Sequence, residues 1–376
     1  MSKGFQSQAI PWWRPECGAR EQELVREVLE SNYLNEGAVV DRFEAELAQR
    51  LGCQHVVCVT SGTAALFAAL VSLGVGPGDE VLVPDITFIA TANAVRLTGA
   101  WPVLVDVDPQ TLNMCPAAAR RAVTTATKAI VPVHVSGRSA DLPVLNSLAE
   151  QCGLALVEDA AEALLSCRDQ RPLGTWGNAG CFSFSPNKLI TTGQGGAVAT
   201  NDDLLAARLR EIKDQGRPQR GTGGDDPHPA LGWNFKLTNL QAAVGLAQLE
   251  RLDERVARQR RTYAIYDERL ADCSTVRLPG FDLAGGECPL WVDVECADRN
   301  GLDRHLAERG FGCRRFWHPL HTQTPYLHDA ADLPNAARLG PRMLWLPTAF
   351  QLTDDDVYRA CDLIEGYQPA HRRGAA

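Results

Sequence analysis

Lys188 stands alone in the string FSFSPNKLITTGQGG, which runs from Phe182 to Gly196. A lysine between an aromatic strand and a glycine-rich turn has the makings of covalent chemistry with a carbonyl group, because a shielded amine loses its proton more readily than one in water. The chain has five lysines in all, Lys3, Lys128, Lys188, Lys213 and Lys236, so the candidates are few. The apolar neighbours Leu189 and Ile190 and the glycine run argue against an ordinary surface lysine in a turn. A second feature is LALVEDAAEA, an apolar run that ends in Glu158 and Asp159. A carboxylate at the carboxyl end of a parallel strand lies where such sheets bind their ligands, although a helix-capping aspartate has the same sequence. A third is VTSGTAAL, where Ser61, Gly62 and Thr63 join an apolar strand to a helix. Free N–H groups at a helix start bind anions, phosphate above all, and glycine lets the backbone come close; an ordinary capped turn has the same letters.

Taken together, an anion cradle, an amine and a buried acid are what pyridoxal phosphate needs. The cradle takes the phosphate, the lysine forms a Schiff base with the aldehyde, and the acid keeps the pyridine nitrogen protonated. Phe88, in DITFIATANAV, is the aromatic expected to stack on the ring. A dinucleotide loop of the form G-x-G-x-x-G after a strand is missing, and so is a phosphate loop ending in G-K-[ST], which weakens the rival nucleotide readings.

Such residues need a scaffold, and the chain spells one out. AREQELVREVLESN carries Leu24, Val25, Val28 and Leu29 at helical spacing, and VDRFEAELAQRLG is a helix stopped by Gly52. Beyond them, apolar strands (HVVCVT, DEVLVP, WPVLVDV, KAIVPVH, LALVED) alternate with helices, the pattern of a mostly parallel sheet covered on both faces. From Thr238 the character changes. TNLQAAVGLAQLERLDERVARQRRTYAIYDERL reads as one long helix whose start is a capping box of Thr238 and Gln241. The expected division is a large α/β domain over residues 1–250 and a smaller C-terminal α+β domain over 251–376. Arg217 to Gly232 is an extended glycine- and proline-rich loop of the kind that is usually functional or mobile.

Bulk properties exclude whole classes. The net charge of −9 argues against nucleic acid as a partner. No apolar run is long enough for a membrane span and no signal-peptide core opens the chain, so a cytoplasmic location is expected. The twelve cysteines are scattered and form no C-x-x-C pair, as expected of small buried hydrophobes in a reducing compartment.

From IPWWRPECGAREQELVREVLESNYLNEG to LWLPTAFQLTDDDVYRACDLI the chain resembles the sugar aminotransferases of the DegT/DnrJ/StrS type. The blocks that carry the resemblance are SGTAAL, TFIATANAV, VEDAAEA, CFSFSPNKLITTGQGG and NFKLTNLQAAVGLAQLERLD. It implies an aspartate-aminotransferase-like fold (fold type I of the pyridoxal-phosphate enzymes). It implies Lys188 as the Schiff-base lysine and proton shuttle, Asp159 as partner of the pyridine nitrogen, and Gly62, Thr63 and Ser183 as the phosphate cradle. Phe88 stacks on the ring and Glu162 lies near its hydroxyl. Asn234 reaches the phosphate bound in the other subunit of a homodimer with shared active sites. The implied reaction is transfer of an amino group from L-glutamate to a keto sugar.

Glutamate at 162, where relatives often carry Gln or His, is similar to the perosamine-synthase-like branch, which aminates C4 of a GDP-linked 4-keto-6-deoxy sugar. Gln194 departs from the usual TTGEGG, which puts a strict transfer of that substrate in doubt. A keto cyclitol is the alternative acceptor. A sugar dehydratase on the same fold would replace Lys188 with histidine, and a catalytically silent regulator would have no need of Lys188, Asp159 and Ser183 together. Substrate contacts are expected from Tyr33 and Asn35 in SNYLNEG and from His318 and His321 in RRFWHPLH. With Cys313 nearby a metal site is conceivable, but no further ligand cluster is close in sequence and no metal is expected.

Overall fold

The computed structural model describes residues 9–220, 226–327 and 332–369; Lys3 and positions 221–225 of the glycine-rich loop lie outside them. Seven strands form the central sheet: β1 (His55–Val59), β2 (Glu80–Pro84), β3 (Trp101–Val105), β4 (Thr127–Ile130), β5 (Ala155–Asp159), β8 (Ala179–Ser183) and β9 (Gly196–Thr200), with the short hairpin β6 (Cys167–Arg168) and β7 (Arg171–Pro172) between β5 and β8. Their spatial order is β1-β9-β8-β5-β4-β2-β3, and only the pairs made by β9 are antiparallel. The mostly parallel sheet expected from the alternation is therefore present. Helices α1 (Ala19–Ser31), α2 (Ala38–Leu51), α3 (Gly62–Ser72), α4 (Ala90–Leu97), α5 (Pro116–Ala122), α6 (Leu142–Cys152) and α7 (Asp203–Lys213) precede or alternate with these strands.

Strand alternation sorts the apolar residues into two layers. Val57, Val59, Val81, Val83 and Val157 pack with α3 and α4, whereas Leu82, Ile130 and Leu156 pack with α5 and α6 on the other face. On α1, Leu24 and Val28 are buried, but Leu29, grouped with them by spacing, is 51% exposed. It lies at the rim of an apolar stripe that is narrower than its letters suggest.

The long helix expected from Thr238 onward is two helices. α8 (Asn239–Glu250) starts with the expected Thr238–Gln241 capping box, and α9 (Leu252–Leu270) follows a break at Arg251, whose φ of −105° and ψ of 8° are not helical. After α9 come β10 (Val276–Arg277), β11 (Asp293–Cys296), α10 (Arg299–Ala307), β12 (Arg314–Arg315), α11 (Pro334–Leu339), β13 (Met343–Trp345) and α12 (Asp354–Glu365). The four strands form a second antiparallel sheet, ordered β10-β11-β13-β12, with its own apolar cluster around Tyr266, Val294, Leu344 and Ile364. The segment before α1 crosses to this second sheet. Ile10 bridges Phe311, and Trp12 packs on Trp291 and Trp345 with ring centroids 5.2 and 5.7 Å away.

A buried ionic hub ties the α1–α2 turn to the sheet. Nζ of Lys213, at the end of α7, lies 2.6 Å from Glu36 and 3.2 Å from Glu44, and donates to the carbonyl of Cys58 on β1 at 3.1 Å. All three charged side chains are buried. Removing the lysine would strand two desolvated carboxylates. Lys213→Ala is expected to lower unfolding stability by about 3 kcal/mol in chemical denaturation. A loss below about 1 kcal/mol would mean that Arg210 and Arg220, which also pair with these carboxylates, take over the charge.

Candidate active site

One cavity of about 360 Å³ opens beyond the carboxyl ends of β5 and β8, and Ser61, Gly62, Thr63, Phe88, Asp159, Glu162, Ser183 and Lys188 all line it. Seven of these eight were expected at a cofactor site; Ser61 is the N-cap of α3, its hydroxyl accepting from the N–H of Ala64 at 3.1 Å. The approach of α3 to the sheet is close. A Cβ on Gly62 would stand 2.9 Å from Cβ of Ser183, and one on Gly196 would fall 2.4 Å from the carbonyl of Ser61. Glycine at both positions lets the helix start meet the β8 end with no side chain between them.

At the other side of the cavity, alternation on β5 decides between the two acids. Glu158 points away, into a nest of N–H donors from Gly174, Trp176 and Gly177 at 2.6–2.8 Å. Asp159 points into the cavity. Its carboxylate accepts from the hydroxyl of Thr91 at 2.8 Å and from the N–H of Ala161 at 3.2 Å. Burial pushes its pKa up, with the Thr91 and Ala161 hydrogen bonds pulling the other way. No cation pairs with it directly among the described residues. A buried carboxylate held only by neutral donors fits a protonated ring nitrogen, which would supply the missing charge.

Lys188 follows β8 in a tight turn, its N–H bonded to the carbonyl of Ser185 at 3.0 Å, with Leu189 and Ile190 buried behind it. Its Nζ lies 3.3 Å from Oε1 of Glu162 and 5.0 Å from the centre of the Trp291 ring. Of the other described lysines, Lys213 is locked in the ionic hub, Lys236 pairs with Asp214, and Lys128 is exposed on β4. None of them lines the cavity. Glu162 is buried, and burial raises its pKa to about 7 against the pull of Lys188 and of the Ser136 N–H, which donates to its Oε2 at 2.9 Å. Ser136 adopts a left-handed conformation (φ 55°), uncommon for a residue other than glycine. Its hydroxyl donates to Asp293 of β11 at 2.6 Å, and Asp293 is paired with buried Arg138 at 2.9 Å. Glu162 is thus joined to the second sheet through one serine.

Other expected residues are elsewhere. Tyr33 lines a separate cleft with Glu36 and Arg220, and Asn35 is exposed nearby. Asn234 is exposed, bridged to Asp214, and outside the cavity of its own chain. His318 is exposed outside the cavity. His321, expected at the substrate entrance, is instead buried against Asp85, which accepts both from its backbone N–H at 2.8 Å and from its ring at 2.6 Å. The turn after Pro319 folds that ring inward rather than toward the cavity. Arg314 and Trp317 line the cavity from the RRFWHPLH stretch, in which the histidines and not these two were singled out, and Trp291 was not expected; the supports Thr91 and Ser136 have partners distant in sequence.

Residues 15–365 match the DegT/DnrJ/EryC1/StrS aminotransferase family. The chain belongs to it. It is 38% identical to the GDP-perosamine synthase of Caulobacter vibrioides, an alignment covering 93% of this chain and 96% of that protein. Among solved structures it is similar to the aminotransferase TlmJ from Streptoalloteichus hindustanus, with TM-score 0.90, 35% identity and 95% and 98% of the two chains covered. It is also similar to DesI, solved in the presence of its TDP-sugar product, with TM-score 0.87, 35% identity and 96% and 93% covered. The protein is a pyridoxal-phosphate-dependent sugar aminotransferase with the fold-type I architecture.

The Glu162 environment yields a pH test. A carboxyl group whose folded pKa is raised favours folding at low pH, and that contribution is lost as pH rises from the unfolded value of 4.5 through about 7. Glu162→Gln does not ionise. In cofactor-free protein its stability relative to wild type should grow between pH 5 and 8, by roughly 3 kcal/mol in total. A pH-independent difference in denaturation midpoint would show that Glu162 ionises normally.

Proposed function

We propose that the protein transfers the amino group of L-glutamate to a nucleotide-linked 4-keto-6-deoxyhexose, the two half-reactions using one cavity in turn. What carries the reading is the convergence of Lys188, Asp159 and the α3 N-terminus on that cavity, in a chain so similar to a GDP-perosamine synthase. Bound pyridoxal phosphate supplies an aldehyde that condenses with amines and a ring that accepts electron density from the adjacent carbon. The chain's own residues do the rest. The N–H groups of Gly62 and Thr63 and the Ser183 hydroxyl hold the phosphate. Asp159 holds the proton on the ring nitrogen, and Phe88 covers one face of the ring. Glu162 anchors the ring hydroxyl, itself oriented by Ser136. Nζ of Lys188 would take the proton from the α-carbon of glutamate, and in the second half-reaction it would deliver one to C4 of the sugar, the former carbonyl carbon that now bears the amine. That step needs a neutral amine.

Borohydride treatment of the holoprotein should fix the cofactor on Lys188, and Lys188→Ala should lose turnover while still binding cofactor through its phosphate. An adduct mapped to Lys213 or Lys236 would overturn the assignment. With L-glutamate as donor and 2-oxoglutarate as readout, GDP-4-keto-6-deoxymannose should be accepted. Turnover with keto cyclitols alone would move the protein to the alternative acceptor class.

Asn234 bears on assembly. Its exposure, and its place outside its own chain's cavity, support a role in a neighbouring subunit of a two-fold dimer. Lys188→Ala and Asn234→Ala proteins, each inactive, are mixed under subunit exchange. A mixed dimer then holds one site with both lesions and one with neither. Activity should return to about half of wild type per mixed dimer if the sites are independent. Verified mixed dimers without activity would remove Asn234 from any shared site.

A further inference from the structure

Adjacent arginines on β12 have different fates. Arg315 turns outward and pairs with Asp303 at 3.0 Å. Arg314, pointing the other way by strand alternation, lines the cavity opposite Trp345 of β13. Its guanidinium carbon lies 4.9 Å from the centre of the Trp12 ring and 5.7 Å from that of Trp345. Among the described residues no carboxylate pairs with it, unlike Lys188, the other cation lining the cavity. Contacts with indole faces use the flat sides of a guanidinium and leave its in-plane N–H donors free, a fork that matches a carboxylate. The cavity wall itself is rich in acid, with Asp159 and Glu162 on the cofactor side. An anionic substrate group is therefore drawn away from that side and toward Arg314.

We propose that Arg314 receives a carboxylate of the amino donor, with Trp12 and Trp345 holding its guanidinium flat beneath it. This rests on the amino-acid donor proposed above. It gives the N-terminal segment a part in the site, because Trp12 is carried to β12 by the backbone pairing of Ile10 with Gly310 and Gly312 and held there by the N–H of Thr348, which donates to its carbonyl.

The test separates the donor from everything else in the cavity. Single turnover of the holoprotein is followed by cofactor absorbance with L-glutamate and, separately, with n-butylamine, which carries an amine and no carboxylate. Arg314→Gln should lower the rate constant per unit glutamate by about 100-fold and change the n-butylamine value by less than about twofold. Arg314→Lys, which keeps the charge but not the fork, should fall between. Calorimetric binding of glutarate, a dicarboxylate that cannot react, should weaken by a similar factor in Arg314→Gln. Equal losses with both amines, or unchanged glutarate binding, would overturn the proposal and leave Arg314 a packing residue. A loss confined to the reaction with GDP-4-keto-6-deoxymannose would assign Arg314 to the sugar diphosphate instead. If wild type responds to another amino acid and not to L-glutamate, the donor named above fails. Arg314 is then judged by the same comparison with that amino acid.

Discussion

Asp159 and Glu162 turn their carboxylates toward a cavity that offers them one nearby amine, Nζ of Lys188. Both acids are buried, and both have pKa values pushed up by that burial. Two desolvated carboxylates near one cation are short of positive charge, and charge deficits away from water are costly. The surrounding architecture supplies neutral donors in compensation. Thr91 reaches Asp159 from α4, Ala161 turns its N–H back to it, and Ser136 offers Glu162 an N–H at the cost of a left-handed backbone. What these donors leave unsupplied is a cation at Asp159, and a protonated pyridine ring is one.

The same chain of contacts sets how the two sheets meet. Ser136 bonds both Glu162 and Asp293, so a residue beside the cofactor site and a strand of the second sheet share one anchor. Arg138 closes the arrangement by pairing with Asp293 and donating to the carbonyls of Pro279 and Gly280. A buried pair of this kind contributes little net stability compared with apolar packing, but losing either partner would strand a buried charge. Around it the tryptophans Trp12, Trp291 and Trp345 provide the apolar area. Position is set by the polar contacts and cohesion by the indoles.

Legibility in the sequence follows from how local each signal is. Lys188, Asp159 and the Ser61–Thr63 turn sit where strands end, and strand ends are marked by abrupt changes in hydrophobicity. The choice of Asp159 over Glu158 needed only the period of a strand, once β5 was in register. By contrast, Thr91 and Ser136 act through partners 68 and 26 residues away, and Arg314 meets Trp12 from the far end of the chain, and nothing in their own neighbourhoods announces it. The single long helix expected after Thr238 has an apolar spacing that continues smoothly past Arg251, so nothing in that spacing marks the break between α8 and α9. His321 failed for a different reason. Histidines in a polar, aromatic string look accessible, and only the fold brings Asp85 of the β2 end against the ring.

Two of the stretches expected to bear on the substrate lie apart from the residues that fit the cofactor. Residues that fit the cofactor come from strand ends of one rigid sheet, where small errors of position would be felt at once. Of the stretches expected at the substrate, RRFWHPLH brings Arg314 and Trp317 into that cavity, whereas SNYLNEG and the described part of the stretch from Arg217 lie outside it, yet they are not loosely attached. Glu36 of SNYLNEG is gripped by buried Lys213, Arg220 of the later stretch pairs with Glu36 and Asp41, and Arg217 pairs with Asp214. One ionic hub therefore holds both segments to α7 and β1, and it presents them on the same surface as Asn234, which bridges Asp214. A surface so held, outside the cavity of its own chain, would suit the shared site proposed above. In that arrangement acceptor choice would vary with the presented loops while the sheet edge keeps the chemistry constant.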